Sequence, residues 1–493
     1  MPPDIESASD LAGRLAAIVG DAHVITEERE RRYLSSDFFY WDGAGTAAIA
    51  VAPGDTAEVQ AIMRALAGTG REVAIRGGGM STGRSYVPQT HEAVLLDMRR
   101  LNRIREINIT DRYLVAETGC TWQQVLDALA PHGLVCDFTI PLSGSVATVG
   151  GTMAHNVTGG MKGVLGIEVV RANGDLVRTG AWARAEHGTP YYRDYGPDLT
   201  GLFLGDTGAF GIKTAISLHL SNAPAASAFA SFGFDSELDL TRAAIALAPL
   251  DYLTMRSGFD PHLTRIVRAM TMADAQNDDP GWTLHLRCDQ LNRAAAEAGI
   301  EQARTLCLSS GKEISSQIAA AMAGNKLSVR GSLSATGQRW IATNSVFPLS
   351  RAIDATAAVR AFVDARAADF ARHDVKLASF ITCNPYHFQL EPLFWWSDAV
   401  SELSLRHIPA EEAERFRAIP ENLENRAFII ETRTALRDLL QKLGAVHVHT
   451  SKFFRYAELL IPGTRRLLAD LKTTLDPECM LSPGNLGLKG PHR

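Results

Sequence analysis

The chain has no apolar run near the roughly 18 to 20 residues that a membrane span requires, no C-x-x-C pair and no basic cluster. The first absence argues against a transmembrane segment. Its six cysteines, Cys120, Cys136, Cys288, Cys307, Cys383 and Cys479, stand apart, which excludes the usual zinc spacings and a disulfide framework and fits thiols of a reducing compartment. A net charge of −6 without clustered Lys or Arg gives nucleic acid nothing to hold, since backbone binding needs concentrated positive charge. The opening MPPDIESASD is acidic where a secretion signal needs a basic start, so a cytoplasmic protein is expected. Repeats and low-complexity tracts are missing too. What the chain does have is length: 493 residues exceed one ordinary core, so two domains and small-molecule partners are expected.

Residues 47 to 79 read as strand, helix, strand and glycine cluster, with Asp55 and Thr56 opening the helix and EVAIRG as the second strand. Further strands are expected at 94–98 and 113–119, and a helix at 121–133 stopped by Gly133. Residues 141–163, PLSGSVATVGGTMAHNVTGGMKG, hold too few large apolar groups for a helix or strand and read as a loop with a task. A hairpin follows at 166–180, turning at Asn173-Gly174 with both turn residues at positive φ. After about residue 220, Ala-rich helices alternate with strands, which reads as a second domain.

The stretch VAIRGGGMSTGRS (73–85) contains G-x-x-x-x-G-R-S, close to the phosphate loop of nucleotide hydrolases. That loop needs a helix directly after it, and Tyr86-Val87-Pro88 forbids one. A dinucleotide fingerprint also fails, because Thr82 stands at its third glycine position. What remains is a glycine loop whose N–H groups form an anion nest with no helix behind it, or a tight turn without ligand.

The ordered series Pro53, Arg76-Gly77-Gly78-Gly79, Leu96-Asp97-Met98, Glu117-Thr118-Gly119, the loop from Pro141 to Gly151, the hairpin, Asp198-Leu199-Thr200-Gly201-Leu202-Phe203 and Gly208-Ala209-Phe210-Gly211-Ile212 resembles the vanillyl-alcohol oxidase superfamily of FAD-dependent oxidoreductases. PDLTGLFLGDTGAFGIKT looks most like its glycolate oxidase D-subunit and D-lactate dehydrogenase branch, and LDPECMLSPGNLGL looks like the superfamily's closing segment. The resemblance implies an α+β fold: a two-lobed FAD-binding domain (1–220), a cap or substrate domain of antiparallel sheet plus helices (221–450), and a C-terminal segment (451–493) returning to the first domain. It implies that Arg76, Gly77, Gly78, Gly79, Met80, Ser81, Thr82 and Gly83 form the FAD diphosphate nest. Pro141, Ser143, Gly144, Thr148, Gly150 and Gly151 would line the flavin, Gly211 and Ile212 the adenine end, and Asn485 would close over the cofactor. Met80 stands where many covalently flavinylated relatives have histidine, and a thioether cannot make that bond. Dissociable FAD is therefore expected, with a link through a cap His or Tyr left open.

Alcohol oxidation by flavin calls for a base near the ring. NPYHFQLEPLFWWSD (384–398) as a strand puts Tyr386, Phe388 and Leu390 on one face and His387, Gln389 and Glu391 on the other, either a pocket wall or a half-exposed sheet. AVHVHTSKFFRY (445–456), also read as a strand, puts His447 and His449 on one face. His449, His387, Arg455, Lys452 and Glu391 are the catalytic candidates, with Lys452, Arg455 or Arg339 available to a carboxylate and no metal expected. Trp395 and Trp396 point oppositely, so at most one can stack on substrate. The function implied is oxidation of a small hydroxylated substrate, first a 2-hydroxy acid, alternatively a phenolic or benzylic alcohol, or else a flavin-free binding or assembly subunit. Oxygen, a quinone or a carrier protein could reoxidise the flavin, and homo-oligomerisation is left open.

Overall fold

A computed structural model describes residues 7–39, 45–138, 143–155, 160–271, 281–324 and 333–488. Pro141 lies outside the described residues. Three sheets organise the chain.

The first sheet is ordered Val24–Ile25, Ile49–Val51, Val94–Asp97, Val73–Arg76, and the last three strands are parallel. Its inner strands are almost wholly buried, as near-continuous apolar runs require when both faces are covered. The helix Thr56–Leu66 makes the crossover, its start fixed by the Asp55 side chain accepting from the Glu58 amide. The C-terminal segment joins here: Val73 N–H donates to the Met480 carbonyl at 2.8 Å, and Ser482 N–H to the Val73 carbonyl at 2.9 Å.

The second sheet is ordered Ile104–Asn108, Tyr113–Glu117, Ile212–Asn222, Val164–Val170, Leu176–Arg178, with Leu134–Cys136 also pairing with Ile212–Asn222. The expected helix forms as Trp122–Leu129, with a reciprocal cap between Thr121 and Gln124. A 3-10 turn follows and ends at Gly133 with φ 63°. Two expectations are corrected. The glycine-rich stretch is not all loop: Val149–Ala154 forms a short helix, because Thr148 Oγ1 accepts from the Gly151 amide and Trp122 Nε1 donates to Thr152 Oγ1 at 2.8 Å. The hairpin turn is wider than two residues: Val170 pairs with Leu176, and of Asn173 and Gly174 only the glycine has positive φ.

The third sheet has eight antiparallel strands, six of which run in the order Ala226–Phe234, Trp282–Gln290, Leu253–Phe259, Lys376–Asn384, His387–Trp396, Arg339–Ala342. One face packs Phe232, Leu284, Phe388, Phe394 and Trp396 against residues such as Leu240, Ile300, Val359 and Leu436 of four helices. The other packs Phe259, Leu393 and Trp395 against Leu263 and Ile318. The two tryptophans do point oppositely, and both are core residues. Residues 445–456 are not a strand: they touch the sheet through one bridge, Val346 to Val446. Among the described residues, no helix is long and apolar enough to cross a membrane.

Candidate functional site

The parallel strands Val73–Arg76 and Val94–Asp97 end just before Gly77 and Met98, and both residues line a cleft open to solvent. Ligands commonly sit outside the carboxyl ends of parallel strands. Gly77 to Ser81 form one wall; Thr148, Gly150 and Gly151 form another, around the short helix. Gly208, Gly211 and Lys213 lie along a third side, and His155 and His449 stand together with ring centroids 5.8 Å apart.

The loop after Gly77 has its carbonyls held by other elements. Tyr86 Oη lies between the carbonyls of Ser36 at 2.7 Å and Gly79 at 2.8 Å, either of which can take its one proton, and Arg433 donates to the carbonyls of Thr82 at 3.4 Å and Ala342 at 2.8 Å. Lys452 Nζ spends its three protons on the carbonyls of Arg84, Ser85 and Val87 at 3.1, 3.2 and 2.8 Å. Asn485 Nδ2 donates to the Ser85 and Thr207 carbonyls at 2.9 and 2.7 Å. The amides of Gly78, Gly79, Met80, Ser81 and Thr82, by contrast, donate to no acceptor among the described residues. Carbonyls bound elsewhere and amides left over make an anion nest.

Close approach explains the glycines. A Cβ on Gly77 would overlap Thr148 Oγ1, and one on Gly78 would overlap the Val146 carbonyl oxygen. His155 Nδ1, in a residue of the lining, is also buried without a partner among the described residues, although buried polar atoms are normally satisfied. Unsatisfied amides along a glycine-lined cleft fit an anionic cofactor such as FAD.

Of the cofactor residues expected, Gly77, Gly78, Gly79, Met80, Ser81, Thr148, Gly150, Gly151 and Gly211 line the cleft. The other described ones are not in its lining. Arg76 is fully buried, 5.3 Å from the Tyr33 ring centroid and 5.7 Å from that of Tyr86. Gly83 packs against Ser451, and Thr82 is held by Arg433. The Ser143 carbonyl accepts from Val146 and Ala147, and that of Gly144 from Gln123. Ile212 is core, and Asn485 holds two carbonyls of the lining.

Of the five catalytic candidates, only His449 lines the cleft. Burial, with Arg433 nearby, holds its imidazole down to about 4. Lys452 is fully engaged by loop carbonyls, and burial brings it to about 8. Arg455 is exposed, with Asp438 and Glu458 at 3.6 and 3.7 Å. His387 bonds Asn384 Nδ2 at 2.8 Å beside the exposed Tyr386. Glu391 accepts from Gln389, and burial raises it to about 7. Arg339 is buried on Asp398. His447 does not share a face with His449: it stacks on Phe454 at 4.2 Å and bonds the Asn344 carbonyl. Sequence reasoning missed His155, Ser85, Thr207 and Lys213 in the lining. A histidine closing a run of small residues was the available signal for the first.

Residues 47–180 match the FAD binding domain family. The chain is 28% identical over 214 residues to the mitochondrial D-lactate dehydrogenase [cytochrome] of Arabidopsis thaliana, a match covering 41% of this chain and 35% of that one. It is 28% identical over 252 residues to the 4-cresol dehydrogenase [hydroxylating] flavoprotein subunit of Pseudomonas putida, covering 48% and 47%. The chain thus spans about a third to a half of the length of these curated relatives. It superimposes on p-cresol methylhydroxylase with substrate bound at a TM-score of 0.76 and 19% identity, over 99% of both chains. The expected fold class is therefore borne out, and so is the resemblance read from the ordered motifs.

Proposed function

Since residues 47–180 are an FAD binding domain and FAD is its cofactor, we propose that the chain is an FAD-dependent oxidoreductase that oxidises the hydroxyl-bearing carbon of a small substrate. The observation that carries this reading is the row of free amides from Gly78 to Thr82 beside the paired imidazoles of His155 and His449. Bound FAD supplies a two-electron acceptor for the hydride. The chain's own residues do the rest. Gly77 to Ser81, Thr148, Gly150 and Gly151 hold the cofactor, and Gly211 supports its adenine end. Arg76, Thr82, Gly83, Ser143, Gly144, Ile212 and Asn485 shape the walls behind them. Residues 1–220 are the FAD-binding domain, 221–450 the substrate domain and 451–493 the returning segment. The flavin is held non-covalently, Met80 being in the lining. Six buried free thiols support a cytoplasmic protein.

The relatives include a lactate dehydrogenase and a cresol dehydrogenase. The geometry favours an uncharged phenolic or benzylic alcohol. A carboxylate needs an available cation, and among the described lining residues Lys213 is bonded to Asp206 at 2.5 Å. Lys452, Arg455 and Arg339 are committed elsewhere. A 2-hydroxy acid is the second reading, supported by the dehydrogenase relative. Anaerobic mixing of the FAD-loaded protein with benzylic alcohols, D- and L-2-hydroxy acids and unsubstituted controls tests both: bleaching by alcohols supports the first, bleaching by hydroxy acids the second, and bleaching by neither rejects the proposal.

A further inference from the structure

Arg76 closes the strand Val73–Arg76, and its side chain is fully buried against the glycine loop. Its Nη1 donates to the Gly77 carbonyl at 3.1 Å, and a Cβ on Gly79 would come 2.5 Å from its Nη2. The guanidinium thus lies against two residues of the cleft lining while staying out of the lining itself. Tyr33 and Tyr86 flank it, their ring centroids 5.3 and 5.7 Å away. Those rings attract a cation but carry no net charge.

What this arginine lacks is a carboxylate. Two arginines near it have theirs: Arg99 is bound to Asp97 at 2.6 Å, and Arg406, which also packs on Tyr33, is bound to Glu30 at 2.6 Å and Glu402 at 3.1 Å. Arg76 forms no ion pair among the described residues. Asp97, opposite it on the neighbouring strand, acts on it through space, both carboxylate oxygens being bonded to Arg99. The surplus of positive charge reaches His407 as well: burial first, then Arg76, Arg99 and Arg406, holds that imidazole below its ordinary range. A cation taken out of water without a counter-ion is strongly unfavourable. Beside this one, in the lining, stand the free amides of Gly78 to Ser81, where a negative charge can be held.

We propose that Arg76 is the electrostatic half of the nest, a positioning residue whose charge attracts the cofactor's diphosphate through space and whose own burial is compensated only when that anion is bound. This rests on the cofactor placement in the reading above and goes further by dividing the work: the amides bond the anion, and the buried cation attracts it. Low local dielectric strengthens that attraction. The same charge therefore has opposite effects, stabilising the loaded protein and destabilising the empty one.

The test compares the wild type with Arg76→Met, which keeps bulk between the two tyrosines without the charge, and Arg76→Lys, which keeps the charge. Inorganic pyrophosphate is the probe and adenosine the neutral control, at constant ionic strength. Pyrophosphate is expected to raise the urea midpoint of the cofactor-free wild type and to compete with FAD, whereas adenosine leaves the midpoint unchanged. Both FAD and pyrophosphate are expected to bind Arg76→Met about tenfold or more weaker, with most of the loss recovered in Arg76→Lys. Without ligand, Arg76→Met is expected to unfold at the same or a higher urea concentration than the wild type, which an arginine serving only to hold the fold would not allow. A ligand-free Arg76→Met that unfolds earlier or does not fold, a wild type that pyrophosphate does not protect, or affinities unchanged by Arg76→Met overturns the proposal. Turnover is a separate outcome: a protein that binds FAD and pyrophosphate through Arg76 but whose flavin no alcohol or hydroxy acid reduces keeps this assignment and loses the oxidoreductase reading.

Discussion

Lys452 Nζ donates to the carbonyl of Val87 at 2.8 Å, and the same ammonium also holds Arg84 and Ser85. It lies three residues after His449, so one short segment both lines the cleft and fastens the loop opposite. Hydrogen bonds from a charged donor contribute about 1.5–3 kcal/mol each. Lys452→Met is therefore expected to weaken FAD binding by about 10- to 100-fold, corresponding to about 1.4–2.7 kcal/mol, with the far-ultraviolet circular dichroism unchanged. Unchanged affinity in a flavin-fluorescence titration would remove Lys452 from this role.

Gly78 allows no side chain. A Cβ there would overlap the Val146 carbonyl oxygen and lie 2.8 Å from its carbon, and backbone cannot swing aside. Gly78→Ala is expected to lower FAD affinity by about 100-fold or more, a loss of about 2.7 kcal/mol. Gly13, where an added methyl would meet no atom within 4 Å, is the control, and Gly13→Ala should bind FAD like the wild type.

Acid sensitivity follows from buried imidazoles. His155 and His285 are held to about 3, and His447 and His449 to about 4, burial being the main cause throughout. Each is neutral when folded but takes a proton when unfolded below about pH 6.5, so each loses stability as pH falls from 6.5 toward 4. Asp260 and Glu391, raised to about 7 by burial, act oppositely, since the folded state keeps protons that the unfolded chain releases. The histidines outnumber the carboxyls by about two protons, so urea denaturation of the cofactor-free protein should show about 2–3 kcal/mol less stability at pH 5 than at pH 6. Greater stability at pH 5 would contradict the assignment.

Met80 lines the cleft, and its thioether cannot bond the flavin. Acid precipitation should leave all yellow colour in the supernatant. Colour retained in the pellet would point to a covalent link through another residue.

Local signals in the sequence carried helix starts in the first two sheets' layers and one strand of the third. Asp55, Thr121 and Gln124 cap helices where their side chains can reach free amides, and the alternation across Phe388 and Leu390 matches the buried face of their strand. The glycine nest was legible because three adjacent glycines have a conformational cost that a simple turn does not explain. The catalytic side was less so. His449 and His447 look alike on a strand, but the chain is irregular there and turns them to different partners. Lys452 reads as a free cation until the fold brings three carbonyls more than 360 residues away in sequence to its ammonium. Such pairings are set by tertiary contact, which residue spacing does not encode.

The central claim is that the free amides from Gly78 to Ser81 hold FAD. Titrating the cofactor-free protein with FAD and following flavin fluorescence tests it most directly. The account predicts saturable quenching at one FAD per chain, lost in Gly78→Ala and kept in Gly13→Ala. A folded wild-type protein that leaves FAD fluorescence unchanged, or that binds it equally well with Gly78 replaced, contradicts the account.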